Sequence, residues 1–375
     1  MKKTICFIVS SPMTVNVFLQ NHFVLLSKNY DIYLVANFST FAFKNIPSIK
    51  ETFNLKIDRK INIFNDFITT YKLINYLRIN KFDAVHTITP KAGLIGMIAS
   101  FICNTQFRIH IFTGQVWHTK KGFYKYFLML FDRLIVRLST NILVDGNSQR
   151  KFLISNKIVA EEKSMVLGPG SISGVDIYKF SPDKSKKQML RVELGLDQDN
   201  VVFSFLGRLN FEKGIIDLVH SFIELSEQYK NISLVVIGVD EDNLISFIND
   251  KFDVSNIVFV KECDKPEDYL QVSDIFCLPS YREGFGTSIL EASSLELPII
   301  ASDTYGLLDT VLVNETGLRH KSGSIEDLKS KMEFLLLNKS IRESFGKNGR
   351  QFVLNNFSSD SISLEWLSFY ANLLK

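Results

Sequence analysis

Twelve short apolar runs, separated by stretches of helical length and pattern, constrain this 375-residue chain more than any other feature. Short apolar runs between helical stretches imply βαβ units, and these build parallel sheets. A first series of strands is expected at Thr4–Val9, Ile32–Ala36, Ala84–His86, Arg108–Phe112, Asn141–Val144 and Ser164–Leu167. A second is expected at Val201–Leu206, Ser233–Ile237, Ile257–Val260, Ile275–Leu278, Ile299–Ala301 and near Leu318. Two series of six predict an α/β chain of two Rossmann-like domains. Turn formers from Gly168 to Asp176 mark the junction. Residues 1–170 are expected to form the first domain and residues 171–356 the second, with 357–375 a terminal helix. The junction glycines precede no helix of the right pattern, so they are not read as a dinucleotide fingerprint.

The most informative segment runs from Ser280 to Glu296, Ser-Tyr-Arg-Glu-Gly-Phe-Gly-Thr-Ser-Ile-Leu-Glu-Ala-Ser-Ser-Leu-Glu. Glu283 stands just before the Gly284-Phe285-Gly286 turn, which opens a helix at Thr287 with Glu291 in its first turns. Amides at a helix N-terminus attract phosphate, and an adjacent glycine lets a ligand approach the backbone. Glu283 and Glu291 then flank an anion site as acceptors for hydroxyl groups. Two hydroxyl-rich groups joined through a diphosphate fit that pattern, which describes a nucleotide-sugar.

Seventy residues upstream, the apolar run Val201–Leu206 is followed by Gly207-Arg208-Leu209-Asn210-Phe211-Glu212-Lys213-Gly214. Ligands of open α/β sheets bind beyond the carboxyl ends of strands. Arg208 and Lys213 are therefore placed to clamp a diphosphate, although alone the stretch also reads as a solvated loop with two surface cations.

These segments, with Leu278-Pro279, Pro298–Asp303 and Glu315–Leu318, resemble the family 4 glycosyltransferases of GT-B architecture, in the bacterial capsule and O-antigen branch. His86-Thr87-Ile88-Thr89-Pro90-Lys91-Ala92-Gly93 and Phe112-Thr113-Gly114-Gln115-Val116-Trp117 also resemble that branch, so the likeness covers nearly the whole length. The resemblance implies two domains facing across a cleft and a terminal helix that crosses back onto the first. It implies transfer of a sugar, with retention, from a UDP-hexose or UDP-N-acetylhexosamine to a polyprenyl diphosphate-linked saccharide. Donor-binding candidates are Gly207, Arg208, Lys213, Glu283, Gly284, Phe285, Gly286, Thr287 and Glu291. Arg208, Lys213 and Glu283 are the catalytic candidates; acceptor-side candidates are His86, Lys91, Thr113 and His118. No metal or other cofactor is expected.

Two positions depart from the family pattern. Ser10-Ser11-Pro12-Met13-Thr14 stands where many relatives carry Gly-Gly, and Thr113 stands where many carry histidine. Thr113 can donate a hydrogen bond but is no general base near neutral pH, and His118 is a candidate to share that task. Two alternatives therefore stay open: a nucleotide-sugar 2-epimerase of the same fold, and a catalytically silent partner subunit.

Charge is split between the halves. Residues 1–170 hold 22 Lys+Arg against 9 Asp+Glu, a balance of +13, whereas the whole chain carries only +3. Such asymmetry points to an anionic surface meeting the first half. With no basic recognition helix and no RNA-binding signature, nucleic acid is not expected. An anionic bilayer fits better, because Lys120 to Arg137 interleaves cations with large apolar residues as interfacial helices do. The same stretch also reads as a core helix with basic outer positions. The expected location is cytoplasmic, peripheral to the inner membrane face. The start Met-Lys-Lys-Thr leads straight into a strand and lacks the features of a signal peptide.

Cys6, Cys103, Cys263 and Cys277 are scattered and form no disulfide framework. The six histidines show no metal-ligand spacing. His220 reads as structural; His86 and His110 are placed at strand ends facing the cleft, and His86 carries both a site and a core reading. Asp240-Glu241-Asp242 has the acidic spacing of a metal site but reads here as a solvated turn.

Overall fold

A computed structural model of the chain describes residues 1–44, 46–58, 62–261 and 263–375. It divides into two compact units, Met1–Gly174 with Ser359–Lys375, and Val175–Ser358. Each is an α/β unit built on one parallel sheet.

The first sheet has seven strands: β1 (Lys3–Ile8), β2 (Tyr30–Ala36), β3 (Ile49–Asn54), β4 (Ala84–Ile88), β5 (Phe107–Phe112), β6 (Asn141–Val144) and β7 (Ser164–Met165). Their order is β3-β2-β1-β4-β5-β6-β7. Alternate residues of a strand point to opposite faces. Accordingly Cys6 and Ile8 join one apolar cluster, with residues of the helices Ile63–Asn80, Pro90–Ile102 and Gly122–Leu138. Ile5 and Phe7 join another, with Phe23, Trp366 and Tyr370. The terminal helix Ser359–Leu373 thus completes the core of the first unit. Two expectations are corrected here. The edge strand β3 was not foreseen, because Lys50, Glu51 and Thr52 are exposed and its sequence lacks an apolar run. The last strand ends at Met165 rather than Leu167, ahead of the positive-φ turn at Gly168.

The second sheet has six strands: β8 (Val201–Leu206), β9 (Ile232–Ile237), β10 (Ile257–Val260), β11 (Ile275–Leu278), β12 (Ile299–Ser302) and β13 (Gly317–His320). Their order is β10-β9-β8-β11-β12-β13. The winding reverses between β8 and β11, and loops at such a reversal diverge to leave a crevice at the carboxyl ends of the strands. The second unit's candidate residues come from those loops.

Candidate functional site

In the second unit, the loop after β8 carries Gly207, Arg208 and Lys213, and the loop after β11 carries Glu283. The two are sewn together. Lys213 Nζ is ion-paired with Glu283 Oε1, both side chains being largely shielded from water. Ser280 Oγ donates to the same carboxylate oxygen at 2.9 Å. Arg282 Nε donates to Glu212 Oε2 at 3.0 Å, and Tyr281 N donates to the Glu212 carbonyl at 2.9 Å. Gly214 closes the first loop at φ 69°, and a Cβ there would overlap the Pro279 carbonyl, so the close approach needs glycine. A Cβ on Gly306, in the loop after β12, would likewise overlap the Glu283 carbonyl.

Beyond Glu283 the chain turns through Gly284 and Phe285. The Phe285 ring is buried against Phe357, with centroids 5.6 Å apart, so it anchors the turn from below and offers no contact surface to a ligand. Gly286 (φ 72°) then starts the helix Thr287–Ser294. A glycine N-cap supplies no side chain to cover the first amides, which leaves their donors and the helix dipole for an anion. One turn in, burial pushes the Glu291 carboxyl up to about 8; Lys179 draws it down and Glu267 pushes it further up. Lys179 is itself paired with Glu267 at 3.2 Å.

Arg208 is held by Glu241, whose two oxygens each accept from Nη1 at 2.8 Å. The acidic turn is therefore not simply solvated, because each carboxylate has a protein partner. Asp240 accepts from the amides of Leu244 and Ile245, and Asp242 accepts from the Phe211 amide at 3.1 Å. Among the described residues, no group of three or more His, Cys, Asp or Glu could hold a metal ion.

The acceptor-side candidates of the first unit are not brought together as expected. His86 is a core residue: fully buried in the middle of β4, it stacks on Phe7 and Trp366 and its Nδ1 is hydrogen-bonded to Tyr370 Oη at 2.6 Å. The terminal helix covers that face, which corrects the site reading. His110 lies inside β5, buried and 2.8 Å from Thr87 Oγ1, so it too faces the core. Burial lowers both histidines, His110 to about 3. Lys91 pairs with Asp66 at 2.7 Å and is mostly buried. Thr113, half-buried, follows β5, and His118 sits in the short turn Val116–Thr119 with its ring edge-on to Phe152. At the carboxyl end of β4, the β-branched Thr89 adopts φ 75°, a strained conformation, with Oγ1 2.7 Å from Ser10 Oγ.

The segment Lys120 to Arg137 has one buried face, as the core-helix reading requires, and one exposed face. The helix Gly122–Leu138 buries Met129, Asp132, Ile135 and Val136, while Phe123, Tyr124, Tyr126 and Leu130 are exposed. Trp117 Nε1 donates to Asp132 at 2.7 Å, fixing the inner face, and burial pushes that carboxyl up to about 7. A second exposed apolar face was missed: Ile63, Phe64, Phe67 and Tyr71 on the helix Ile63–Asn80, with Phe64 and Phe67 both 74 % exposed. Its signal was four large apolar residues at helical spacing on a single face. Both helices pack on Pro90–Ile102. Among the described residues no helix is long and apolar enough to cross a membrane.

Residues 186–352 match the family described as glycosyl transferases group 1. Over 358 residues the chain is 33 % identical to the capsular polysaccharide biosynthesis glycosyltransferase CapM of Staphylococcus aureus, covering 94 % of this chain and 92 % of that protein. It is 26 % identical to an Escherichia coli UDP-Gal:alpha-D-GlcNAc-diphosphoundecaprenol alpha-1,3-galactosyltransferase, covering 69 % and 67 %. The fold matches sucrose-phosphate synthase from Thermosynechococcus elongatus at a TM-score of 0.82 and 19 % identity, covering 100 % and 99 %. With two parallel-sheet α/β domains and a relative one-third identical along nearly its whole length, this chain belongs to the group 1 glycosyltransferases of GT-B architecture.

Proposed function

We propose that this enzyme, of the family 4 type, transfers a hexosyl or N-acetylhexosaminyl unit from a UDP-sugar, with retention, to a polyprenyl diphosphate-linked saccharide in surface-polysaccharide synthesis. The observation that carries the reading is the convergence of Arg208, Lys213 and Glu283 at the β8/β11 reversal, beside the uncapped helix start at Thr287. The UDP-galactose donor and diphosphoundecaprenol-linked acceptor of the E. coli relative support it, as does the capsular role of the S. aureus relative. Retention and the family 4 type rest on the resemblance of the motifs.

The chemical difficulty is departure of the nucleoside diphosphate, which gathers negative charge as the glycosidic bond breaks. Arg208, Lys213 and the amides at Gly286-Thr287 supply fixed positive charge there, in place of a metal. Each charge-assisted hydrogen bond contributes about 1.5–3 kcal/mol. Glu283 accepts from donor-sugar hydroxyls and Glu291 from the ribose. On the acceptor side, Thr113, His118 and Lys91 are the remaining candidates of the first unit.

The acceptor is met at an anionic membrane surface. The +13 balance of residues 1–170 supplies attraction, at about 1 kcal/mol for each Lys or Arg close to the surface. The exposed rings of Phe64, Phe67, Phe123 and Tyr126 supply an apolar anchor.

The test is incubation of purified enzyme with a panel of nucleotide-sugars and polyprenyl diphosphate-linked saccharides in vesicles. Transfer from one UDP-sugar to one lipid-linked acceptor is expected. Absence of transfer, together with no melting shift from any nucleoside diphosphate, overturns the reading.

A further inference from the structure

The turn Asp240-Glu241-Asp242 joins the loop after β9 to the donor loop after β8. Leu209 N donates to the Val239 carbonyl at 2.8 Å, and Glu241 N donates to the Leu209 carbonyl at 3.0 Å. Glu241 then makes three side-chain bonds to the donor loop: two from Arg208 Nη1 and one from Asn210 Nδ2 at 3.0 Å. Both partners of the ion pair are about one-third exposed, 35 % for Arg208 and 29 % for Glu241. Exposed pairs of this kind add little to folding stability. What the pair does is confine a long side chain with many rotamers to one position.

We propose that Glu241 is a positioning residue for donor recognition: it holds the Arg208 guanidinium in place for the diphosphate before the donor arrives. The inference rests on the donor reading above. Ordering Arg208 beforehand removes an entropy cost from binding and from the step in which charge builds on the leaving group. Toward the donor the carboxylate acts through Arg208, with Asn210 as a second anchor in the same loop, so the proposal confines its influence to ligands that carry the second phosphate. A ligand held only through its base, ribose and first phosphate is indifferent to it.

The experiment measures UDP and UMP affinity by calorimetry on the full chain, with GDP and ADP alongside, for wild type, Glu241→Gln, Glu241→Asp, Arg208→Ala and the double variant Arg208→Ala/Glu241→Gln. Glu241→Gln is expected to weaken UDP by about tenfold, the scale of one charge-assisted contact, and to leave UMP unchanged. Glu241→Asp recovers part of the loss. In the Arg208→Ala background, the Glu241→Gln change adds less than about twofold, because residues acting as a unit are not additive. Melting temperatures separate misfolding from these effects. Unchanged or tighter UDP binding in Glu241→Gln overturns the inference, as does an equal loss of UDP and UMP, which marks general loop damage. If wild type prefers no diphosphate over its monophosphate, the donor reading falls and this inference falls with it. If wild type shows the preference and only Glu241→Gln leaves it intact, the donor reading stands and this inference alone is lost.

Discussion

Lys213 and Glu283 form an ion pair between the loops after β8 and β11, 70 residues apart in the chain. In the donor reading proposed above, a diphosphate that engages Lys213 would compete with Glu283, and the released carboxylate would become an acceptor for sugar hydroxyls. Binding of the two halves of the donor would then be coupled through this exchange.

The first prediction follows from that coupling. Glu283→Gln keeps the shape of the side chain and an acceptor for Ser280 Oγ, and Arg208→Ala removes a part-exposed group; neither is expected to unfold the protein. Each should lower turnover by at least about tenfold, roughly 1.4 kcal/mol in the barrier. Steady-state rates with circular dichroism check this, and near-normal turnover in both variants sinks the donor-site assignment.

Activity is expected to survive removal of divalent metals, since the proposed chemistry relies on side-chain cations and helix amides for the leaving group. Rates measured in EDTA, then with added magnesium or manganese, decide it. Loss restored by metal would falsify the leaving-group chemistry proposed above.

Burial of Glu291 makes stability depend on pH. Its folded pKa, about 8, lies above the ordinary 4.5, so the folded state favours the protonated form and loses stability as pH rises from about 4.5 to 8. Glu291→Gln should therefore melt progressively higher than wild type as pH goes from 5 to 8, while binding the donor more weakly. Melting curves at three pH values test it, and a gap that does not change with pH refutes it.

The buried histidines act at the other end of the scale. Burial lowers His22 to about 4, and lowers His86 as well. Both stack on Trp366 of the terminal helix. A depressed histidine contributes stability that is complete above about 6.5 and is lost as pH falls toward the folded value. His86→Phe should flatten the acid limb of the stability curve by about one proton, even if it costs stability at pH 7. An unchanged slope in urea titrations between pH 4 and 7 argues against this account.

Much of the fold was readable because parallel strands buried on both faces leave nearly continuous apolar runs, as at Val201–Leu206 and Ile275–Leu278. That same burial hid the role of His86. When both faces of a sheet are covered, neighbouring residues in sequence give no sign of which helix covers a side chain, and here the cover comes from Tyr370, 284 residues away. The edge strand β3 was invisible for the opposite reason, its residues being mostly exposed and polar. Glu241 and Asp242 read as part of an ordinary turn because their partners Arg208, Asn210 and Phe211 lie about thirty residues upstream, a pairing that only the adjacency of β8 and β9 creates.

Membrane docking is checked with liposomes. Replacing Lys120, Lys121 and Lys125 by neutral residues should release the enzyme from anionic vesicles and raise the apparent KM for a lipid-linked acceptor, with donor affinity nearly unchanged. Phe64→Ser with Phe67→Ser should weaken binding in a way that added salt does not mimic, because apolar anchoring is not screened. Unchanged vesicle binding in both variants leaves these helices without a membrane role.

The contacts at Gly214 and Gly306 bear on how such an enzyme is retargeted to a new sugar. At these two glycines the loops after β8 and β12 approach the backbone of the loop after β11 so closely that a Cβ would overlap a carbonyl, which leaves no room there for a change in course. A graft that imports the loop after β11 from a relative brings its own path into contact with two unaltered neighbours. On the donor-site reading proposed above, exchange of sugar preference between relatives is therefore a matter of transplanting residues 207–214, 279–287 and 303–307 as a single block.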